Sequence, residues 1–286
     1  MSAQATFLPD GRRLHLHHGP MDLIIEAWGE AEAVRAAYRR AAMRFDGLLD
    51  ELFAELAALR SGDDLPLHGP VAAAMGRAVR PFRPAFITPM AAVAGAVADE
   101  ILAALVGEGI TRAYVNNGGD IALHLGPGTR LTAAIAARAG LPDRVTVRAS
   151  DPVRGIATSG WRGRSFSLGI ADAVTVLARD AAMADAAATM IANAVDLPGH
   201  PCVTRRPAAE IKADSDLGGR LVTVGVGPLD PREIAVVLDR GLAAARAFQA
   251  RGLIEGAALF LQGDLRPLGA VPLVETFSPK LEPCLG

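Results

Sequence analysis

The sequence predicts an α+β fold, mainly antiparallel sheet packed against long helices. Three observations carry this. Runs with strand periodicity are joined by short turns rich in Gly and Pro, which favour hairpins and therefore antiparallel pairing. Two long segments, Glu30 to Leu59 and Pro231 to Arg251, space their apolar residues as helices do. Strands and helices also fail to alternate strictly, as a doubly wound parallel sheet would require.

The elements follow in order. Phe7 to Gly11 reads as a turn between two short strands. Arg13–His18 and Met21–Ala27 read as strands joined through Gly19–Pro20. Helical spacing then takes over at Val34, Tyr38, Phe45, Leu48, Leu52 and Leu56, with Gly47 as a break between two helices. A short helix is expected around Val71–Val79, and Pro81, Pro84 and Pro89 predict an extended crossing segment after it. Thr88–Pro89 predicts a helix start, Thr88 capping and Pro89 in the first helical position. That helix, to about Val106, carries Ala91, Ala92, Ala94, Gly95, Ala96 and Ala98. So small a face admits either tight packing on a sheet or a flat ligand. Strands follow at Arg112–Asn116, Ile121–Leu125, Leu131–Ala136, Arg144–Arg148 and Ala173–Leu177. A helix from Ala181 to about Val195, a strand at Leu221–Val226, the helix from Pro231 and a strand at Ala257–Leu261 complete the chain.

Composition bounds the function. With 286 residues, 51% hydrophobic and 21% charged, the chain can bury a sizeable core. No linker is polar or long enough to divide it, so residues 1–286 read as one domain, with two closely packed lobes as the alternative. Disorder is expected only at the first few residues and after Phe277. The net charge of −2, the 5% aromatic content and the lack of a basic stripe argue against nucleic-acid partners. Cys202 and Cys284 are isolated, which fits a reducing compartment rather than a zinc or disulfide framework. No apolar run suits a signal peptide or a bilayer span, so a cytoplasmic protein with no membrane partner is expected.

Three segments can carry chemistry. In Asn116–Asn117–Gly118–Gly119–Asp120, Gly-Gly permits positive φ and bare N–H groups facing a ligand, and a plain tight hairpin is the alternative. In Gly155 to Arg164, Thr158, Ser159 and Gly160 suggest a backbone nest for anions that Arg162 and Arg164 join. The alternative is an exposed turn with solvated arginines. On the helix after Asp180, Asp185 and Thr189 are one turn apart and share a face. A carboxylate and a hydroxyl suit Mg²⁺ that is also held by phosphates, although both residues also have ordinary helical uses. His15, His17 and His18 resemble a metal cluster, but His18 faces the opposite side of a strand. With no fourth ligand in view, a polar strand face is the expectation.

Together, in this order, the three segments resemble the ApbE superfamily of FAD:protein FMN transferases. Its Asn-x-Gly-Gly-Asp turn is matched by Asn116, Gly118, Gly119 and Asp120, and its Thr-Ser-Gly stretch by Thr158–Ser159–Gly160. Its Val-Thr-Val strand is matched around Val174–Val176, and its Ala-Asp-x-x-x-Thr helix by Ala184–Asp185 and Thr189. Asp99 sits where the family carries an Asp in the helix before the Gly-Gly strand. The resemblance, over roughly Thr88 to Val195, implies an ApbE-like fold and Mg²⁺ held by Asp185 and Thr189. It also implies FAD beside Asn116, Gly118, Gly119, Asp120, Thr158, Ser159 and Gly160. The implied activity moves FMN from FAD to a Ser or Thr hydroxyl of an acceptor flavoprotein. Two family features are replaced. The interval Trp161–Asp172 has no His, and Ala94–Gly95 stands for a Lys-Gly pair. These departures point to a distinct branch, and to flavin or nucleotide binding without catalysis, or redox-enzyme assembly, as the alternative function.

Overall fold

The computed structural model describes residues 2–135, 143–269 and 273–274. Its strands are β1 (Gln4–Phe7), β2 (Leu14–His18), β3 (Met21–Gly29), β4 (Ile110–Asn117), β5 (Asp120–Leu125), β6 (Arg130–Ile135) and β7 (Asp143–Arg148). They continue with β8 (Gly155–Ser159), β9 (Ala173–Ala178), β10 (Val203–Pro207), β11 (Leu221–Val226), β12 (Gly256–Leu261), β13 (Asp264–Leu268) and β14 (Leu273–Val274). The helices are α1 (Ala31–Asp46), α2 (Leu48–Ala54), α3 (Leu56–Leu59), α4 (Pro70–Val79), α5 (Val93–Leu105), α6 (Ala181–Ala194), α7 (Ala208–Ile211) and α8 (Pro231–Ala250).

A nine-stranded sheet in the order β1-β2-β3-β4-β5-β8-β9-β12-β13 forms the centre, and every pairing in it is antiparallel. The α+β class is therefore observed directly. Alternation sends Leu14, Leu16, Leu23, Ile25, Ala113, Val115 and Ala122 to one face, where they form the main core with residues of α1, α4, α5, α6 and α8. The opposite face buries Leu123, Leu125, Ile156, Leu177 and Phe260 against Val145 and Val147 of the small sheet β14-β7-β6. Gly47 splits the first helical region as its composition suggests. Asp230 and Glu233 close a capping box at the start of α8.

Several expectations change. The proline-rich crossing is not extended throughout, because Arg80–Phe82 forms a 3₁₀ turn. Pro89 does take a first-turn position, but a 3₁₀ turn at Pro89–Ala92 precedes α5. The Thr88 side chain makes no cap and donates its hydroxyl to Asp216 instead. Gly155–Ser159, expected as a nest or turn, is strand β8, paired with both β5 and β9. Strands β10 and β13 were also unexpected, since each contains a proline and charged residues. Both lie at sheet edges, where proline is tolerated. The expected strand end at Ala136, the chain after Phe277 and Cys284 lie outside the described residues. Among the described residues no helix is long and apolar enough to cross a membrane.

Candidate functional site

The site begins at the β4–β5 hairpin. Gly118 and Gly119 adopt φ of +67° and +116°, conformations that side chains with a Cβ rarely hold. Gly119 N–H donates to Asn116 Oδ1 at 2.8 Å, so Asn116 stiffens the turn. A Cβ on Gly119 would meet nothing within 4 Å, which leaves bare backbone facing open space. A Cβ on Gly118 would lie 3.0 Å from an Arg164 guanidinium nitrogen, and Arg164 also reaches the Pro20 carbonyl at 3.4 Å.

The tight turn pairs Asn117 with Asp120, so both side chains project to the helix-bearing face. Asn117 Nδ2 donates to the Ala94 carbonyl at 3.1 Å, tying the hairpin to the N-terminal part of α5. Asp120 Oδ1 accepts from Thr158 N–H at 3.2 Å, which joins the Gly-Gly turn to β8. The Thr158 hydroxyl lies 2.9 Å from that of Thr175. Ser159 ends β8 half-buried, and Gly160 packs its bare Cα against the Asp172 carbonyl, 2.5 Å from where a Cβ would stand. Arg162 does not join the turn. It pairs with Asp172 at 2.8 Å and stacks over Trp161.

Helix α6 supplies the facing wall. Asp180 caps it, accepting from Met183 N–H at 2.7 Å. Asp99, from α5, accepts from Ala181 and Ala182 N–H at 3.0 and 2.9 Å, satisfying two more donors of the first turn. Asp185, one turn further on, accepts from Gly95 N–H at 3.1 Å. Thr189 is half-buried one turn beyond Asp185.

Three carboxyls in this region are pushed upward in pKa. Burial raises Asp99 to about 7, against the lowering effect of its two backbone hydrogen bonds. Burial likewise raises Asp120. Asp185 is raised well above the carboxylate range, first by burial and next by repulsion from Asp120. Each of the pair keeps some exposed area, yet desolvation dominates because protein crowds the carboxyl groups. The structure thus brings Asp120 and Asp185 into electrostatic contact from opposite walls. Two such carboxyls form a hard oxygen donor set, the donor chemistry that Mg²⁺ takes.

Two cavities adjoin these elements. One of about 580 Å³ lies between α4, α5 and the start of α6, walled by Arg77, Ala96, Asp99, Asp180 and Met183. A second, of about 360 Å³, lies against the Gly118–Gly119 turn on the sheet face opposite α5 and α6. Neither has Asp120 or Asp185 in its wall. The link between Asp120 and Asp185 was not separately visible in the sequence, although the pairing of Asn117 with Asp120 across a two-residue turn was a signal for the direction of Asp120.

The family model described as AbpE bacteria matches residues 5–267. The chain belongs to this family. Among the curated relatives of this AbpE-family chain is the UPF0280 protein of Methanococcoides burtonii. It is 40% identical over 116 residues, which are 40% of this chain and 48% of that protein. The UPF0280 protein of Methanothermobacter thermautotrophicus is 41% identical over 123 residues, 42% of this chain and 47% of the relative. The chain therefore spans about half the length of the curated relatives it matches. Among solved structures, a mutant of the flavin transferase ApbE from Vibrio cholerae aligns over 95% of this chain and 99% of its own, with 14% identity and TM-score 0.47. The flavinyl transferase ApbE of Pseudomonas stutzeri, in its apo form, aligns over 93% of each chain, with 13% identity and TM-score 0.47. At these identities and TM-scores no residue role carries over to the AbpE-family chain.

Proposed function

We propose that this protein binds FAD together with Mg²⁺ and passes the FMN half of FAD to a Ser or Thr hydroxyl of an acceptor flavoprotein. The single observation behind this reading is the half-buried, crowded pair Asp120 and Asp185, each raised in pKa by desolvation, with Asp185 raised further by its neighbour. A divalent cation relieves that repulsion, and a diphosphate supplies the oxygens that a small carboxylate site leaves unfilled. Asp120, Asp185 and the Thr189 hydroxyl are the proposed ligands. Bound there, Mg²⁺ would neutralise charge on the diphosphate. The Gly118–Gly119 turn, stiffened by Asn116, leaves its side-chain-free backbone open to the nucleotide, and Arg164 stands beside it as a cation. Thr158, Ser159 and Gly160 border the same strand junction. In the transfer, the acceptor hydroxyl oxygen forms a bond to the FMN phosphorus. The bond from the FMN phosphorus to the bridging oxygen breaks, AMP leaves with the bridging oxygen, and the acceptor hydroxyl proton is lost to solvent or a base.

A second reading is nucleotide binding without turnover, in service of redox-enzyme assembly. It is favoured by the His-free stretch Trp161–Asp172, whose Trp161 and Arg162 are committed to Asp172, and by Ala94 in place of a lysine. Calorimetric titration of FAD with and without Mg²⁺ tests the shared part. Metal-dependent binding is expected in the wild type and is expected to be lost in Asp185→Asn, with circular dichroism reporting that the variant folds. Equal binding in both proteins removes the site. AMP release in the presence of acceptor peptides then selects transfer, and a yellow protein that releases none selects binding alone.

A further inference from the structure

A second group of ligand-type side chains lies on the sheet face turned away from α5 and α6. Along β2, Leu14 and Leu16 enter the core, so His15 and His17 project together to the opposite face. On β3, Asp22 is the direct cross-strand partner of His17 and shares that face. His15 Nε2 stands 2.5 Å from Asp22 Oδ1, and one ligand atom from each of the three residues lies within 4.8 Å of the others. Sequence alone does not show this convergence, because only the β2–β3 register brings Asp22 beneath the two imidazoles.

We infer that His15, His17 and Asp22 form a binding site for a divalent cation of the Zn²⁺ class. Two imidazoles and one carboxylate suit borderline ions such as Zn²⁺, Co²⁺, Ni²⁺ or Fe²⁺ rather than Mg²⁺. Ligands about 2 Å from one tetrahedral ion lie roughly 3.3 Å apart. Seating the ion therefore parts His15 from Asp22 by roughly 0.8 Å and draws His17 inward by side-chain rotation. The three residues are half-buried or exposed, which leaves room for that adjustment. Three protein ligands leave at least one position open, as in metal sites that take an exogenous ligand. The site also borders a cavity of about 360 Å³, walled by His15, Asp22, Ile24, Asn116, Gly118 and Gly119. An open coordination position has a built space beside it, against the same Gly-Gly turn that the flavin reading uses. The inference does not rest on that reading, since it needs neither FAD nor Asp185.

The test is titration of the full chain, free of any affinity tag, with Co²⁺ followed by its ligand-field absorption. Competition with Zn²⁺ and the variants His17→Ala, Asp22→Asn and Asp185→Asn complete it. Wild type is expected to take up a single equivalent of Co²⁺ that Zn²⁺ displaces. His17→Ala and Asp22→Asn should each weaken binding at least about tenfold, and Asp185→Asn should leave it unchanged. His17 and Asp22 lie outside the core, so both variants are expected to fold, which circular dichroism checks. Absence of Co²⁺ uptake by wild type, or undiminished uptake by both variants, overturns the site. Loss in Asp185→Asn alone moves the ion to the Asp120–Asp185 pair and also overturns it.

Discussion

Asp99 joins two roles in one carboxyl: acceptor for the first amides of α6, and a group whose burial raises its pKa to about 7. The sign of its effect on stability follows from proton linkage. Its folded pKa lies above the ordinary value of 3.8, so between about pH 4 and about pH 7 the folded state holds more protons than the unfolded one. Its contribution to stability is greatest at the acid end of that window and is lost as the pH rises through it. Asp99→Asn removes the titration while keeping one acceptor oxygen. The stability difference, variant minus wild type, should therefore shift in favour of the variant between about pH 5 and about pH 7.5. Urea denaturation at the two pH values measures it, and a difference that does not change with pH contradicts the assignment. Asp99→Ala strands both amides of Ala181 and Ala182 and is expected to cost about 1–3 kcal/mol near neutral pH, read from the urea midpoint.

Helices α5 and α6 meet through glycine and alanine, and that contact sets the position of Asp185. A Cβ on Gly95 would fall 2.1 Å from the Ala181 carbonyl oxygen and 2.7 Å from Ala182 N, both backbone atoms that cannot rotate away. Gly95→Ala should destabilise by about 1–3 kcal/mol through overpacking, seen as a lower denaturation midpoint. It should also weaken Mg²⁺-dependent FAD binding, because Gly95 N–H holds Asp185. A variant as stable as wild type would show that the helices can separate at no cost. The small-residue face of α5 was plain in the sequence, but its partner was not, since α6 lies far along the chain. The same contrast runs through the sheet. The Gly118–Gly119 turn was legible because a strand entering and leaving two glycines has few other solutions. Strand β8 was not, because Gly155, Ala157, Thr158 and Ser159 are the residues of turns, and only burial between β5 and β9 makes them a strand. Gly155 shows the constraint: a Cβ there would sit 2.0 Å from the Asp180 carbonyl oxygen. In the site, each carboxylate could be picked out in the sequence, whereas the approach of Asp120 to Asp185 is set by tertiary structure.

Ligand binding should be visible in the stability of the whole chain, because the proposed site draws on the central sheet, α5 and α6 together. The repulsion of Asp120 on Asp185 is opposed by the backbone amides of Gly95 and Ala94, which hydrogen-bond Asp185. On the proposed reading Mg²⁺ with FAD would bind the folded state, with no assembled site in the unfolded chain. At a ligand concentration about a hundredfold above Kd, the added stability is about 2.7 kcal/mol. For a chain of 286 residues, with unfolding entropy near 2 cal/mol/K per residue, that corresponds to a rise in Tm of about 4–5 °C. Mg²⁺ alone or FAD alone should give a smaller rise than the two together, since each completes the coordination of the other. Asp185→Asn should abolish the joint effect, whereas His17→Ala should preserve it, because His17 lies on the other face of the sheet. A scanning-fluorimetry series over these four ligand conditions and three proteins decides the matter. Equal stabilisation by FAD with and without Mg²⁺ would place the flavin away from the carboxylate pair, and a joint effect lost in His17→Ala would place it against the opposite sheet face.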